Sequence, residues 1–252
     1  MTLDDLGTPV VAPRGAVRRV VSLVPSLTES LAATAPRLLA GATDWCTHPA
    51  DLAVPRIGGT KNPDLAAIAA LEPDLVLANE EENRPADLAA LRSAGVPIWV
   101  TRIRTLDDAF ASLRRMLTLA CGLPEPDWLA AAEGAWRAVP PVVPVRRAVI
   151  PIWRKPWMIL GRDTFAGDLL RRLGVRNLYA DHSERYPKIP LPCLLAAGAD
   201  LVVLPDEPYR FTAEDGPAFF PDTPAALVSG RHLTWYGPSL VEAPAVLRAA
   251  LT

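Results

Sequence analysis

Histidine, cysteine and methionine are scarce in this sequence, three residues of each in 252. The cysteines, Cys46, Cys121 and Cys193, form an odd set without metal-ligand spacing. That argues against a disulfide framework and fits reduced, mostly buried thiols in a reducing compartment. Cys46-x-His48 supplies only two ligands, and His182 and His232 stand far away in sequence. A transition-metal site needs three or four converging groups, so no protein-held metal is expected. Net charge is also small, −2, which gives no footprint for nucleic acid. No run reaches the ~18 apolar residues of a membrane span, so no membrane insertion is expected. The first seventeen residues include Asp4, Asp5, Pro9 and Pro13 and lack an apolar h-region or a lipid-attachment cysteine. The location expected from this is cytoplasmic. Gly-x-Ser-x-Gly, a Gly-rich phosphate loop and His-Glu-x-x-His are all missing, so no catalytic residue is assigned and no enzyme is expected. Asp44, Asp163, Asp168 and Asp181 read as cap or turn residues.

Hydrophobic residues make up half of the chain, and the 27 prolines fall mostly at element ends. Length and composition allow one large domain or two small ones. Residues 1–16 read as a tail. Val17–Val24 is a buried strand, followed by a helix through Leu39 that Ser26 or Thr28 could cap. Leu75–Ala78, Ile98–Thr101, Arg147–Trp153 and Leu201–Leu204 read as further strands, with helices between them. The proline in Arg147–Trp153 suggests an edge or a bulge. Strands alternating with helices predict parallel α/β sheets. Residues 205–230 read as loop-rich, and Pro238–Leu251 as a closing helix.

Thr105 to Val139 reads as a helical connector. Thr105 and Asp108 form a capping-box pattern, and Leu106, Ala109, Phe110, Leu113, Met116, Leu117 and Ala120 recur at helical spacing. Gly122 to Pro126 interrupts the run, and Leu129, Ala132, Trp136 and Val139 resume it. On either side stands a repeat. Leu65-x-x-Ile68-x-x-Leu71-x-Pro73-Asp74-Leu75-Val76 aligns with Leu191-x-x-Leu194-x-x-Ala197-x-Ala199-Asp200-Leu201-Val202, offset by 126 residues. Two copies placed alike around one connector predict two related lobes. The domains expected are therefore a tail (1–16), an amino-terminal lobe (17–104), the connector (105–139) and a carboxyl-terminal lobe (140–252).

This layout resembles the helical-backbone (class III) periplasmic-binding-protein-like family of vitamin B12, haem and ferric-siderophore receptors. Val20-Val-Ser-Leu-Val-Pro-Ser-Leu-Thr-Glu29, Thr43-Asp-Trp-Cys-Thr-His-Pro49, Ile57-Gly-Gly59, Asn62-Pro63 and Glu72-Pro-Asp-Leu-Val-Leu77 carry the likeness. Trp153-Arg-Lys-Pro-Trp157 and Trp235-Tyr-Gly-Pro238 are similar to the cobalamin-binding branch. The resemblance implies two Rossmann-like parallel α/β lobes bridged by a long helix, with a ligand in an inter-lobe cleft lined by strand-end loops. It implies reversible, non-catalytic binding of a tetrapyrrole-like metal complex, first a cobalamin or related corrinoid, with haem or a ferric siderophore as the alternative and no covalent cofactor.

Trp45, Gly59, Asn79, Asn83, Arg84, Trp153, Trp157, Tyr186, Trp235 and Tyr236 are the candidate ligand-binding residues. A corrin or porphyrin is a broad flat disc whose faces suit indole and phenol rings and whose rim suits amides and charges. Lys61, Arg154 and Arg162 could instead meet an anionic siderophore or haem propionates. His48, His182 or His232 could serve as an axial haem ligand. Core packing remains the alternative for each tryptophan, and a solvated acidic turn for Glu80–Glu82. In transporter-coupled members each lobe carries a docking glutamate after the leucine of its repeat helix. Those positions hold Ala66 and Pro192 here, so docking to an ABC permease is not expected. The chain is expected to be a monomer. A cleft-degenerate interaction or regulatory protein, or an enzyme acting on a corrinoid or siderophore, are the rival readings.

Overall fold

The computed structural model describes residues 2–11, 15–143 and 145–252. The chain divides into two units. Unit 1 holds residues 1–103, 107–130 and 236–238, and unit 2 holds 104–106, 131–235 and 239–252.

Unit 1 is built on β1 (Val20–Ser22), α1 (Pro25–Thr34), β2 (Leu39–Ala42), α2 (Leu65–Ala70), β3 (Leu75–Asn79), α3 (Pro85–Ser93) and β4 (Ile98–Thr101). The four strands are parallel in the order β2-β1-β3-β4. β1 and β3 are buried along their whole length, as expected of inner strands covered on both faces by helices. Pro25 opens α1, so Val24 is its cap residue and no side chain caps it. Ser26 and Thr28, the expected caps, are buried inside the helix, and Thr28 turns its hydroxyl back to Val24 O. The helix stops at Thr34, and Leu39 already belongs to β2.

The expected tail is partly folded. Thr2–Leu3 pairs antiparallel with Pro9–Val10, and Asp5 N–H donates to Val100 O of β4 at 3.1 Å.

The connecting helices are α4 (Leu106–Arg115), continued by a π-helical stretch Met116–Ala120, and α5 (Asp127–Arg137). Leu106 N–H donates to Asp168 Oδ2 at 3.0 Å. Asp168 itself sits in the helix of residues 165–172 and also pairs with Arg171 and Arg172.

Unit 2 repeats the strand order. β5 (Arg146–Val149), α6 (Phe165–Arg172), β6 (Val175–Asn177), α7 (Leu191–Leu195), β7 (Leu201–Pro205), β8 (Ala225–Val228), α8 (Gly230–Thr234) and α9 (Ala243–Leu251) surround a parallel sheet ordered β6-β5-β7-β8. β6 and β8 were not expected from sequence. β8 lies inside the stretch read as loop. Past Ile150 the chain changes partner, and Pro151–Trp153 forms a bulged hairpin with Met158–Ile159.

The sequence repeat has a physical basis. Asp74 Oδ2 accepts the N–H groups of Arg18 and Arg19 just ahead of β1, while Asp74 N–H donates to Arg19 O. Asp200 does the same in unit 2, accepting Arg147 N–H at 2.8 Å and donating to Arg147 O. Each aspartate locks the first strand of its unit to the third.

Candidate functional site

A strand order of 2-1-3-4 reverses direction between the first and third strands, and open parallel sheets bind ligands outside the carboxyl ends at that switch point. The loops concerned follow β1 and β3 in unit 1 and β5 and β7 in unit 2.

In unit 1 two asparagines hold this end of the sheet. Asn79 Nδ2 donates to Thr101 O and Thr101 Oγ1, both at 3.1 Å, and its Oδ1 accepts Glu81 N–H at 2.9 Å. Asn83 Oδ1 accepts Asn79 N–H at 2.9 Å, and its Nδ2 donates to Thr60 O at 3.0 Å and Leu23 O at 3.4 Å. Both are buried. Their amides are occupied within unit 1, so they fix the loop and offer no amide to a rim. Arg84 is exposed and pairs with Asp87 at 2.9 Å. Lys61 Nζ donates to Glu81 O. Burial pushes the Glu82 carboxyl up, against an opposing pull from Lys61.

Trp45 is the residue of unit 1 left for a ligand face. It follows β2 and is 65% exposed. A Cβ on Gly59 would stand 3.4 Å from its Nε1, so Gly59 leaves room for the indole edge. Cys46 beside it is buried and sits 3.0 Å from Thr28 Oγ1 and 3.2 Å from Thr43 Oγ1. His48 Nδ1 contacts Thr47 Oγ1.

Unit 2 carries an aromatic cluster behind the β5 loop. Trp157 stacks on Phe211 with centroids 6.1 Å apart and meets Phe219 and Phe220 edge-on. Trp153 meets Tyr209 edge-on at 5.6 Å and is 42% exposed. Arg154 lies over the Phe219 ring at 4.9 Å. Its guanidinium donates to Tyr209 Oη at 3.1 Å and to Asp215 Oδ2 at 3.0 Å, and Tyr209 Oη donates to Asp215 at 2.6 Å. The Tyr209 hydroxyl, with Arg154, holds the Asp215 carboxyl below its usual range.

Trp235 is placed otherwise. It is buried, and its Nε1 donates to Glu207 Oε2 at 2.9 Å on the β7 loop. Burial pushes that carboxyl up, while the indole N–H pulls it down. Tyr236 is buried in unit 1, where Ser30 Oγ reaches its carbonyl at 3.5 Å. Tyr186 is half-buried, with Arg185 against its ring at 5.7 Å. The structure thus separates exposed rings, Trp45 and Trp153, from packed ones, Trp157, Trp235 and Tyr236. Sequence reasoning missed Tyr209 and Asp215, which pin Arg154; an Arg between two tryptophans was the available signal.

Among the described residues no group of three metal-ligating side chains converges. His182 Nδ1 accepts Glu184 N–H, and His232 lies between Ser229 and Glu242. An apolar depression of about 230 Å³ on unit 2, lined by Ala135, Ala138, Val139, Val241, Pro244, Ala245 and Arg248, involves none of the strand-end loops.

No family model matches the chain. A vitamin B12-binding protein of Pectobacterium carotovorum is 25% identical over 205 residues, covering 78% of this chain and 74% of that protein. Coverage falls to 66% of the length of other vitamin B12-binding relatives. Among solved structures, the periplasmic haem-binding protein BhuT, in complex with two haems, is 25% identical with a TM-score of 0.76, covering 94% of this chain and 98% of that one. The chain has the class III periplasmic-binding-protein-like fold. The periplasmic vitamin B12-binding protein BtuF of Vibrio cholerae shares it at 20% identity, with a TM-score of 0.70 over 93% of this chain and 96% of that one.

These neighbours overturn the cytoplasmic expectation, because they are periplasmic binding proteins. The physical reason is visible at residues 2–10. Asp4, Asp5 and Pro9, read as evidence against export, belong to a folded hairpin of unit 1 and say nothing about a compartment. Three free cysteines do not decide the matter either, since Cys46 and Cys121 are buried and burial pushes the Cys121 thiol up to about 12.

Proposed function

We propose that this chain is a non-catalytic, periplasmic-type binding protein for a tetrapyrrole-like metal complex, with a corrinoid as its first ligand and haem as its second. The observation that carries the choice is the state of Arg154. Its charge is met by Asp215, its N–H groups by Asp215 and Tyr209, and its face by Phe219. A guanidinium already paired with a carboxylate has few N–H groups left for a propionate, which would have to displace Asp215 to reach it. Lys61 and Arg162 are engaged as well, by Glu81 O and Asp163. An exposed indole at Trp153 next to an arginine already paired with Asp215 suits a flat ring with a neutral amide rim better than a dicarboxylate.

The test is a spectroscopic titration of the purified protein with dicyanocobinamide, cyanocobalamin and hemin. Corrinoid binding with quenching of tryptophan emission is expected. A shifted Soret band with hemin, and no response to either corrinoid, would overturn the order.

We further propose that the protein is a monomer that does not drive an importer. Neither α2 nor α7 has an acidic residue in its first turn. Asp64, the acid nearest Ala66, is spent as the cap of α2, accepting Ala67 N–H at 2.9 Å. Rim carboxylates of the docking kind steer encounter and set register, and these two surfaces lack them.

A further inference from the structure

The loops after β5 and β7 of unit 2 are tied together by one ion pair. Arg154 stands in the turn between Pro151–Trp153 and Met158–Ile159, and Tyr209 and Asp215 belong to the stretch that follows Leu201–Pro205. Arg154 Nη2 lies 3.0 Å from each carboxylate oxygen of Asp215. Among the described residues Asp215 is the one carboxylate that pairs with this arginine. Two other contacts hold the guanidinium in place without neutralising it. Its Nε donates to Tyr209 Oη at 3.1 Å, and its face lies over the Phe219 ring at 4.9 Å. The backbone of Asp215 is fixed separately. Its N–H donates to Thr212 Oγ1 at 3.1 Å, and its carbonyl accepts Thr212 N–H at 3.1 Å. The turn that presents the carboxylate therefore does not depend on the carboxylate, and the arginine keeps its seat without it.

Of the two partners the carboxylate is the more open to water. The Asp215 side chain is 33% exposed and that of Arg154 is 17%. Trp153, next to Arg154 in the chain, is exposed and meets Tyr209 edge-on. An anionic rim laid beside that indole meets the like charge of Asp215, whereas a neutral amide rim meets a hydrogen-bond acceptor. A repulsive group of this kind discriminates between ligands as effectively as an attractive one. We infer that Asp215 is the residue that sets the ligand charge this pair of loops accepts: with its carboxylate in place the loops turn away propionates, and without it Arg154, still seated on Tyr209 and Phe219, becomes a carboxylate receptor. The inference rests on the proposed function only in taking these loops to face the ligand.

The test compares the native chain with Asp215→Ala and Asp215→Asn, each titrated with hemin, which carries propionates, and with dicyanocobinamide, whose rim is amide. Asp215→Ala should bind hemin about tenfold more tightly than the native chain, the scale of one charge-assisted hydrogen bond, while dicyanocobinamide stays within about twofold. The gain should vanish when Arg154→Gln is added to Asp215→Ala. A second probe needs no disc. Sodium propionate alone, followed by NMR at the Arg154 Nε–H, should shift that resonance saturably in Asp215→Ala and leave it unmoved in the native chain. A native chain that binds neither disc would defeat the proposed function, and the propionate titration would still decide the inference. An unmoved Arg154 resonance in a folded variant would overturn it, as would a hemin gain that survives the loss of Arg154. If both Asp215 variants fail to fold, the carboxylate serves the fold rather than the choice of ligand, and the inference falls as well.

Discussion

Trp45 and Trp235 should part company under the same substitution. A tryptophan side chain offers ~150–250 Å², and Trp45 leaves about two thirds of its surface open to water. A disc covering one face would bury about half of that, on the order of 50–80 Å², which at ~25–30 cal/mol per Å² gives about 1.5–2 kcal/mol. Trp45→Ala should therefore weaken corrinoid binding by about 2 kcal/mol, roughly thirty-fold in Kd. Its folding stability should move by no more than about 0.5 kcal/mol, the ordinary scale for an exposed site. Trp235 is 7% exposed and holds Glu207 through its indole N–H. Trp235→Ala should cost about 3–5 kcal/mol of stability, the scale of a large cavity in a core. Calorimetric titration with dicyanocobinamide and urea unfolding separate the two readouts. A folded Trp45→Ala protein that binds within twofold of the parent would refute the placement of the ligand against this ring.

Two other expectations follow from particular contacts. Burial raises the Asp168 carboxyl, but the Leu106 N–H, Arg171 and Arg172 outweigh it and hold the group below its usual range. Its contribution is therefore present above the unfolded carboxylate pKa of ~4 and disappears as pH falls through the lower folded value. Asp168→Asn should cost about 1–2 kcal/mol at pH 7, one cap-type hydrogen bond plus two partly exposed ion pairs, and the gap to the parent should close towards pH 3 in urea unfolding; a gap independent of pH would contradict this. In reconstituted membranes, the corrinoid-loaded protein should leave a corrinoid importer's ATPase at its basal rate, and Ala66→Glu with Pro192→Glu should give weak stimulation. Stimulation by the unmodified chain would overturn the uncoupled reading.

The parts of the fold that could be read from sequence were those made by neighbours in the chain. Leu65, Ile68 and Leu71 mark α2 because helical contacts are local; Asp74 and Asp200 showed only as a repeat, since the strand each one ties lies more than fifty residues away. β6 and β8 could not be read so easily. Val175–Asn177 is three residues long, and it is a strand because Arg146–Ala148 lies beside it. The hairpin of residues 2–10 rests on Arg115, more than a hundred residues away. Ser26 and Thr28 were the wrong caps because Pro25 already starts α1. For the candidate site, residue type pointed to aromatic loops, but exposure is a tertiary property. Nothing in Trp-Arg-Lys-Pro-Trp says that Trp153 faces water while Trp157 packs on Phe211. Nor does Asn79-x-x-x-Asn83 say that both amides are consumed by backbone and by the Thr101 hydroxyl.

Asp74 and Asp200 sit at the amino ends of the parallel strands, and the loops that could meet a ligand sit at the carboxyl ends. The contacts that set strand register and the residues that would choose a ligand thus occupy opposite rims of each sheet. A change of specificity in such a lobe can be inherited as loop substitutions alone, with no register to repair. One lobe has come to brace its rim with two asparagines and the other with an arginine, a tyrosine and an aspartate. The two rims can therefore differ without disturbing the strand order, because the aspartate that ties the strands lies at the opposite end of each sheet.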